Sequence, residues 1–177
     1  RRRMIPERTL QSELAKTLNS AGWFVHKIND GSIGLKPADM FGSTPNGRAV
    51  LIEAKNNLAV KSDSKSMHVL RSRFSKHQVD NLKMLTLKNG YAIICGFNEI
   101  YGTSKIVCFL AILNKDSFDD EKYLRINCIF RYKRHKNMFC FTGAGYFNTE
   151  TKELTPFDIV MSYPEFLFGH DPILVST

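Results

Sequence analysis

The run Ala49-Val50-Leu51-Ile52 leads straight into Glu53-Ala54-Lys55, setting two charges at the end of an apolar segment. A short apolar run with β-branched members reads as a buried strand. The preceding Ser43-Thr44-Pro45-Asn46-Gly47 is turn chemistry with an Asn-Gly signal. Residues 36–42 and 48–55 are therefore expected to form a hairpin. Two charges buried at its open end are costly unless they have partners or a purpose.

The expected register sharpens the point. If Gly42 faces Arg48, opposed residue numbers sum to 90, so Asp39 faces Leu51 and Glu53 is its diagonal neighbour. Diagonal neighbours in an antiparallel ladder sit about 7–8 Å apart, close enough for two carboxylates to share one ion. Lys55, two residues beyond Glu53, projects from the same face. The bare acid-x-Lys triplet is weaker than this geometry. It recurs at Asp63-Ser64-Lys65, Asp120-Glu121-Lys122 and Glu150-Thr151-Lys152, all in polar surroundings where the charges read as solvated.

Oxygen ligands without His or Cys favour Mg²⁺, with Mn²⁺ as a substitute, over zinc. Such an ion can activate a water, polarise a phosphodiester and offset charge on the leaving oxygen. Lys55 could orient the attacking water and stabilise negative charge. The competing reading is a structural salt bridge between Lys55 and the two acids.

Around the hairpin, residues 6–20 carry Leu10, Leu14 and Leu18 at helical spacing, with Pro6 suited to a first turn. Residues 23–28 alternate as a half-buried strand does. Residues 56–73 are polar and weakly periodic, which predicts a long mobile loop. Residues 75–89 predict a second helix, with Gly90 as the residue that ends it. Residues 91–97 and 105–113 are apolar strands, the first nearly uninterrupted and so central. Residues 123–134 and 137–141 suggest a further strand pair, and 156–168 a terminal helix. The order α-β-β-β-α-β with additions predicts an α/β class with a mixed sheet flanked by helices. A chain of 177 residues with 43% hydrophobic content suits one domain, 1–177. No stretch approaches 18 consecutive apolar residues, so no membrane helix is expected.

The net charge of +8 is uneven. Residues 1–136 hold 24 basic and 12 acidic side chains, a net +12, whereas 137–177 hold one lysine and five acids, a net −4. A polyanion-binding surface is thus expected from the first three quarters of the chain. Lys61, Lys65, Arg71, Arg73 and Lys76 follow closely on Lys55 and are candidate phosphate contacts. Arg131, Lys133 and Arg134 form a second candidate cluster. A merely solvated face competes in both cases. Cys95, Cys108, Cys128 and Cys140 lack C-x-x-C spacing and lie in strand-like segments. They read as buried free thiols of a cytoplasmic protein.

Pro37-Ala38-Asp39 followed by Glu53-Ala54-Lys55 resembles the PD-(D/E)xK nuclease superfamily. The first helix with Glu13, the Gly22-Trp23 start of a strand, and Leu51-Ile52-Glu53-Ala54-Lys55 resemble Holliday-junction resolvases of the archaeal Hjc type. Phe74-Ser75-Lys76-His77-Gln78 resembles the bacterial RecU type. The resemblance covers roughly residues 7–113 and leaves 114–177 as an unmatched C-terminal β/α extension. It implies a restriction-endonuclease-like αβββαβ core and a Mg²⁺-dependent endonuclease acting as a homodimer on four-way DNA junctions. It further implies Asp39, Glu53 and Glu13 as metal ligands, Lys55 as catalytic and Gln78 as a polar neighbour of the site. For Gln78 a helix-capping role competes, since Ser75-x-x-Gln78 fits a capping box. The alternatives are a restriction or repair-nicking enzyme of the same superfamily, or a non-catalytic nucleic-acid-binding module. Strand 91–97 or the tail is expected to supply the dimer surface.

Overall fold

The structure, a computed structural model, describes residues 4–29, 36–63, 66–146 and 156–169. Helix α1 (Glu7–Ser20) is followed by β1 (Phe24–Lys27), β2 (Met40–Ser43) and β3 (Ala49–Asn56). Two short strands, β4 (Lys61–Ser62) and β5 (Met67–Leu70), precede α2 (Lys76–Leu87). Then come β6 (Tyr91–Glu99), β7 (Ile106–Leu113), β8 (Tyr123–Ile126), β9 (Cys128–His135), β10 (Met138–Tyr146) and α3 (Pro156–Ser162). The class is mixed α/β.

Seven strands form one sheet in the order β1-β2-β3-β6-β7-β9-β10. Among the described residues β3 and β6 are the one parallel pair, and the chain between them, through α2, makes that crossover. Strand β6 is central, as its unbroken apolar run requires, with Tyr91 through Phe97 buried. It cannot supply a dimer surface, which corrects the expectation for that strand. Gly96 is needed there because the Phe109 ring of β7 lies across it. A Cβ at Gly96 would stand 2.1 Å from that ring.

The sheet curls. Helix α1 packs against β1, β3 and β10, so it touches both edge strands at once. Its Leu10, Leu14 and Leu18 are buried with Val50, Ile52, Ala54, Ile93 and Phe97. Each buried leucine contributes about 2 kcal/mol by leaving water. Ile159 and Val160 of α3 join the same core. The other face is covered by Val79 and Leu82 of α2, and by Met67, Val69, Leu124 and Ile126.

Those last four residues correct the expectation for 56–73. Instead of one mobile loop, the segment holds β4 and β5, which pair with β8 into a second, three-stranded antiparallel sheet. Met67 and Val69 have little periodicity of their own. They become a strand because residues 123–126, far along the chain, complete the pairing. This also splits the expected strand 123–134, since β8 belongs to the small sheet while β9 pairs with β7 and β10. Helix α2 ends on Asn89, not Gly90. Asn89 takes φ 62° while its N–H reaches Thr86 O and that of Gly90 reaches Leu85 O, the paired bonds of a Schellman motif. At the first helix, Pro6 stands just outside rather than in the first turn, its carbonyl accepting from Thr9 and Leu10. All four cysteines are free thiols, and Cys95, Cys108 and Cys128 are buried as expected.

Candidate active site

The hairpin register differs from expectation by two residues. Met40 faces Ile52 and Ser43 faces Ala49, so opposed numbers sum to 92. The cause is a tighter turn: Thr44 N donates to Arg48 O, leaving only Pro45, Asn46 and Gly47 outside the ladder. Asp39 is therefore carried from opposite Leu51 to opposite Glu53. Because the shift is two residues, the facing side of each strand is kept.

At this point the ladder opens. Ala54 would next pair with Ala38, but its N–H is taken by Asp39 Oδ2 at 2.9 Å. The Asp39 N-terminal side is held by α2, where Asn81 Nδ2 donates to Pro37 O and His77 Nε2 meets Lys36 O. Lys36 Nζ stands 2.9 Å from Asp39 Oδ1. Asp39 is 6% exposed and Glu53 only 1%. Ile52 and Ala54 face α1, so Glu53 and Lys55 face the α2 side. Lys55 Nζ lies 5.6 Å from the centroid of the buried Phe74 ring.

Burial raises the Glu53 carboxyl from 4.5 to about 8, reinforced by the Asp39 charge and by a hydrogen bond between the two carboxyls. Lys55 and Lys36 oppose the rise. Burial and the Asp39 charge thus favour the protonated form of Glu53, and its Oε2 has no hydrogen-bond partner. Two adjoining carboxyls with an unsatisfied buried oxygen are a donor set that suits a hard divalent cation. Among the described residues no group of three or more His, Cys, Asp or Glu is placed to hold a metal ion. A cation here would rest on two carboxylates and complete its shell with water and substrate oxygens, the usual habit of Mg²⁺.

Glu13 is not part of this pair. It lies on the α1 side of the sheet, where Arg134 Nε and Nη2 grip its two oxygens at 2.6 and 2.7 Å. The same bond holds Arg134, one of the candidate phosphate contacts, within the fold. The acid of α1 that approaches the hairpin is Glu7, whose Oε2 accepts the N–H of Asn56 at 3.3 Å. Gln78 sits in the capping box: its Oε1 accepts from Ser75 N and its own N–H donates to Ser75 Oγ. Its amide oxygen is committed to the helix start.

The basic residues divide. Arg71 donates to Phe118 O and Asp120 O, and Arg73 to Asn57 O and Asn56 O. Both guanidiniums are tied to backbone carbonyls of the fold, and Arg73 is exposed nonetheless. Lys76 pairs with Asp80 at 2.7 Å in full solvent, an exchangeable contact. Lys61, Arg131 and Lys133 are exposed. Lys65 lies outside the described residues. The contributions of Lys36, His77, Asn81 and Glu7 were missed in the sequence. Only the His77-x-x-x-Asn81 spacing, which puts two polar groups on one helix face, could have signalled any of them.

No family model matches the chain, and no curated protein does. No helix among the described residues is long and apolar enough to cross a membrane.

Proposed function

We propose that this chain is a metal-dependent DNA endonuclease of the PD-(D/E)xK kind, acting on branched DNA and most simply on four-way junctions. The observation that carries the reading is the buried Asp39–Glu53 pair, with an unsatisfied carboxyl oxygen, at the opened end of a hairpin beside Lys55. The element order supports it: a helix, an antiparallel three-strand meander, a helix and a strand parallel to the third is the arrangement expected of a restriction-endonuclease-like core.

A Mg²⁺ or Mn²⁺ ion bound there would supply Lewis acidity and an activated water. Asp39 and Glu53 would hold it, and Glu53 must give up its proton to do so. Lys36 and Lys55 bring positive charge to a place where a phosphate approaches two carboxylates. Lys55 is the group placed to steady charge on the reacting phosphate. Exposed Lys61, Arg131 and Lys133 would meet flanking phosphates. The homodimer that two symmetric cuts need belongs to the same proposal.

The test compares the native chain with Asp39→Asn on a four-way junction, with and without Mg²⁺. Native protein should cut only with the metal, and the variant should bind without cutting. Equal cutting by both would overturn the site. Cutting of linear duplex as fast as junction would favour the restriction or nicking alternative.

A further inference from the structure

Most phenylalanines of this chain are buried, yet two on the hairpin side of the sheet stand in water. Phe24 of β1 is 64% exposed and Phe41 of β2 is 44% exposed. The His26 ring lies between them, 4.7 Å from Phe24 and 6.0 Å from Phe41 by ring centroids. Val25 and Met40 are buried against the α1 core. Strand alternation therefore puts Phe24, His26 and Phe41 on the opposite face, the one that Glu53 occupies. Phe41 is paired with both His26 and Leu51, and it follows Asp39 by two residues. At strand rise, the row of rings begins about 7 Å from Asp39 along the chain.

We propose that Phe24, His26 and Phe41 form a stacking ledge for a nucleobase next to the phosphate held at Asp39 and Glu53. The substrate class is then branched DNA with an unpaired or extruded nucleotide beside the cut. The inference rests on the nuclease reading, because it takes the position of the phosphate from it. Two considerations select a base over a second protein copy. The ledge is continuous with the carboxylate site on one strand face. Its rings offer at most about 200 Å² each, well short of the about 800 Å² per partner that a stable interface buries. A base inside a continuous duplex has both faces covered by its neighbours and gains nothing from the ledge. An extruded or unpaired base of any identity gains a stack, so selection is by DNA shape and not by sequence.

The experiment uses a duplex with a single unpaired thymidine and the same duplex with an abasic residue at that position. Anisotropy in EDTA reads affinity with no chemistry involved. The native chain should bind the thymidine duplex about tenfold more tightly. Joint Phe24→Ala and Phe41→Ala substitution should bring that affinity down to the abasic level. Equal native affinity for the two duplexes overturns the ledge, whatever the variant does. Equal affinity with a native dimer that the double substitution makes monomeric assigns the rings to a second copy and overturns it too. Mg²⁺-dependent cutting is read separately on the same duplexes. A base preference with no cutting by native protein keeps the ledge and overturns the nuclease reading. Cutting that depends on Asp39 without base preference does the reverse.

Discussion

Glu53 stores a conflict that a bound cation would relieve. In the folded chain burial and the neighbouring Asp39 disfavour its charge and raise its carboxyl to about 8. An unfolded chain releases the same proton near 4.5. Between those two values the unfolded state has lost the proton and the folded state still holds it, so stability falls as pH rises through that window. Glu53→Gln removes the conflict. In EDTA the variant should be more stable than native by a few kcal/mol at pH 8 and nearly equal to it at pH 5, as read by urea denaturation at both values. A native chain whose stability is flat over this range would contradict the buried, proton-holding carboxyl. On the proposed reading the Glu53→Gln variant also loses metal binding, so stability and activity are expected to move in opposite directions.

Arginines show what a segment's composition conceals. In the sequence, Arg71 and Arg73 were indistinguishable from the solvated lysines around them. In the structure each guanidinium donates to two backbone carbonyls that the fold would otherwise leave without those partners. Arg73 ties the 3-10 turn after β5 to the end of β3, where Lys55 is mounted. Arg73→Ala should cost about 1 kcal/mol in urea denaturation, and Arg73→Lys should not restore it, since one ammonium does not reproduce the fork. The legible parts were those set by local pattern: α1, the hairpin, the capping of α2 at Ser75 and the buried β6. The illegible parts depended on distant segments. Met67 and Val69 became a strand through Tyr123–Ile126, and Glu13 was claimed by Arg134, 121 residues away. Even the hairpin register turned on one bond, Thr44 to Arg48, that turn propensity alone does not specify.

Across the whole molecule, charge is reapportioned rather than merely located. Arg71, Arg73 and Arg134 hold partners within the fold, and exposed Lys61, Arg131 and Lys133 are candidates for phosphate contact. Each phosphate contact contributes about 0.9 to the slope of log affinity against log salt. Joint replacement of Lys61, Arg131 and Lys133 by Ala should therefore flatten the slope by about 2–3, read by anisotropy on a four-way junction from low to moderate salt. An unchanged slope would move the DNA to another face.

The curl of the large sheet has a consequence for the order in which this protein can mature. Helix α1 is made before every strand of the sheet, yet one wall of its seat is β10, where the Phe139 N–H donates to the Thr17 hydroxyl. On a ribosome, α1 must wait for residues 138–146 before its groove exists, so completion of this fold is tied to synthesis at least as far as β10. Contacts of such long sequence separation are slow to form. In refolding followed by pulsed hydrogen exchange, α1 amides should gain full protection together with those of β10, and later than those of the β2–β3 hairpin. Early, independent protection of α1 would show that the helix does not depend on the far edge of the sheet that encloses it.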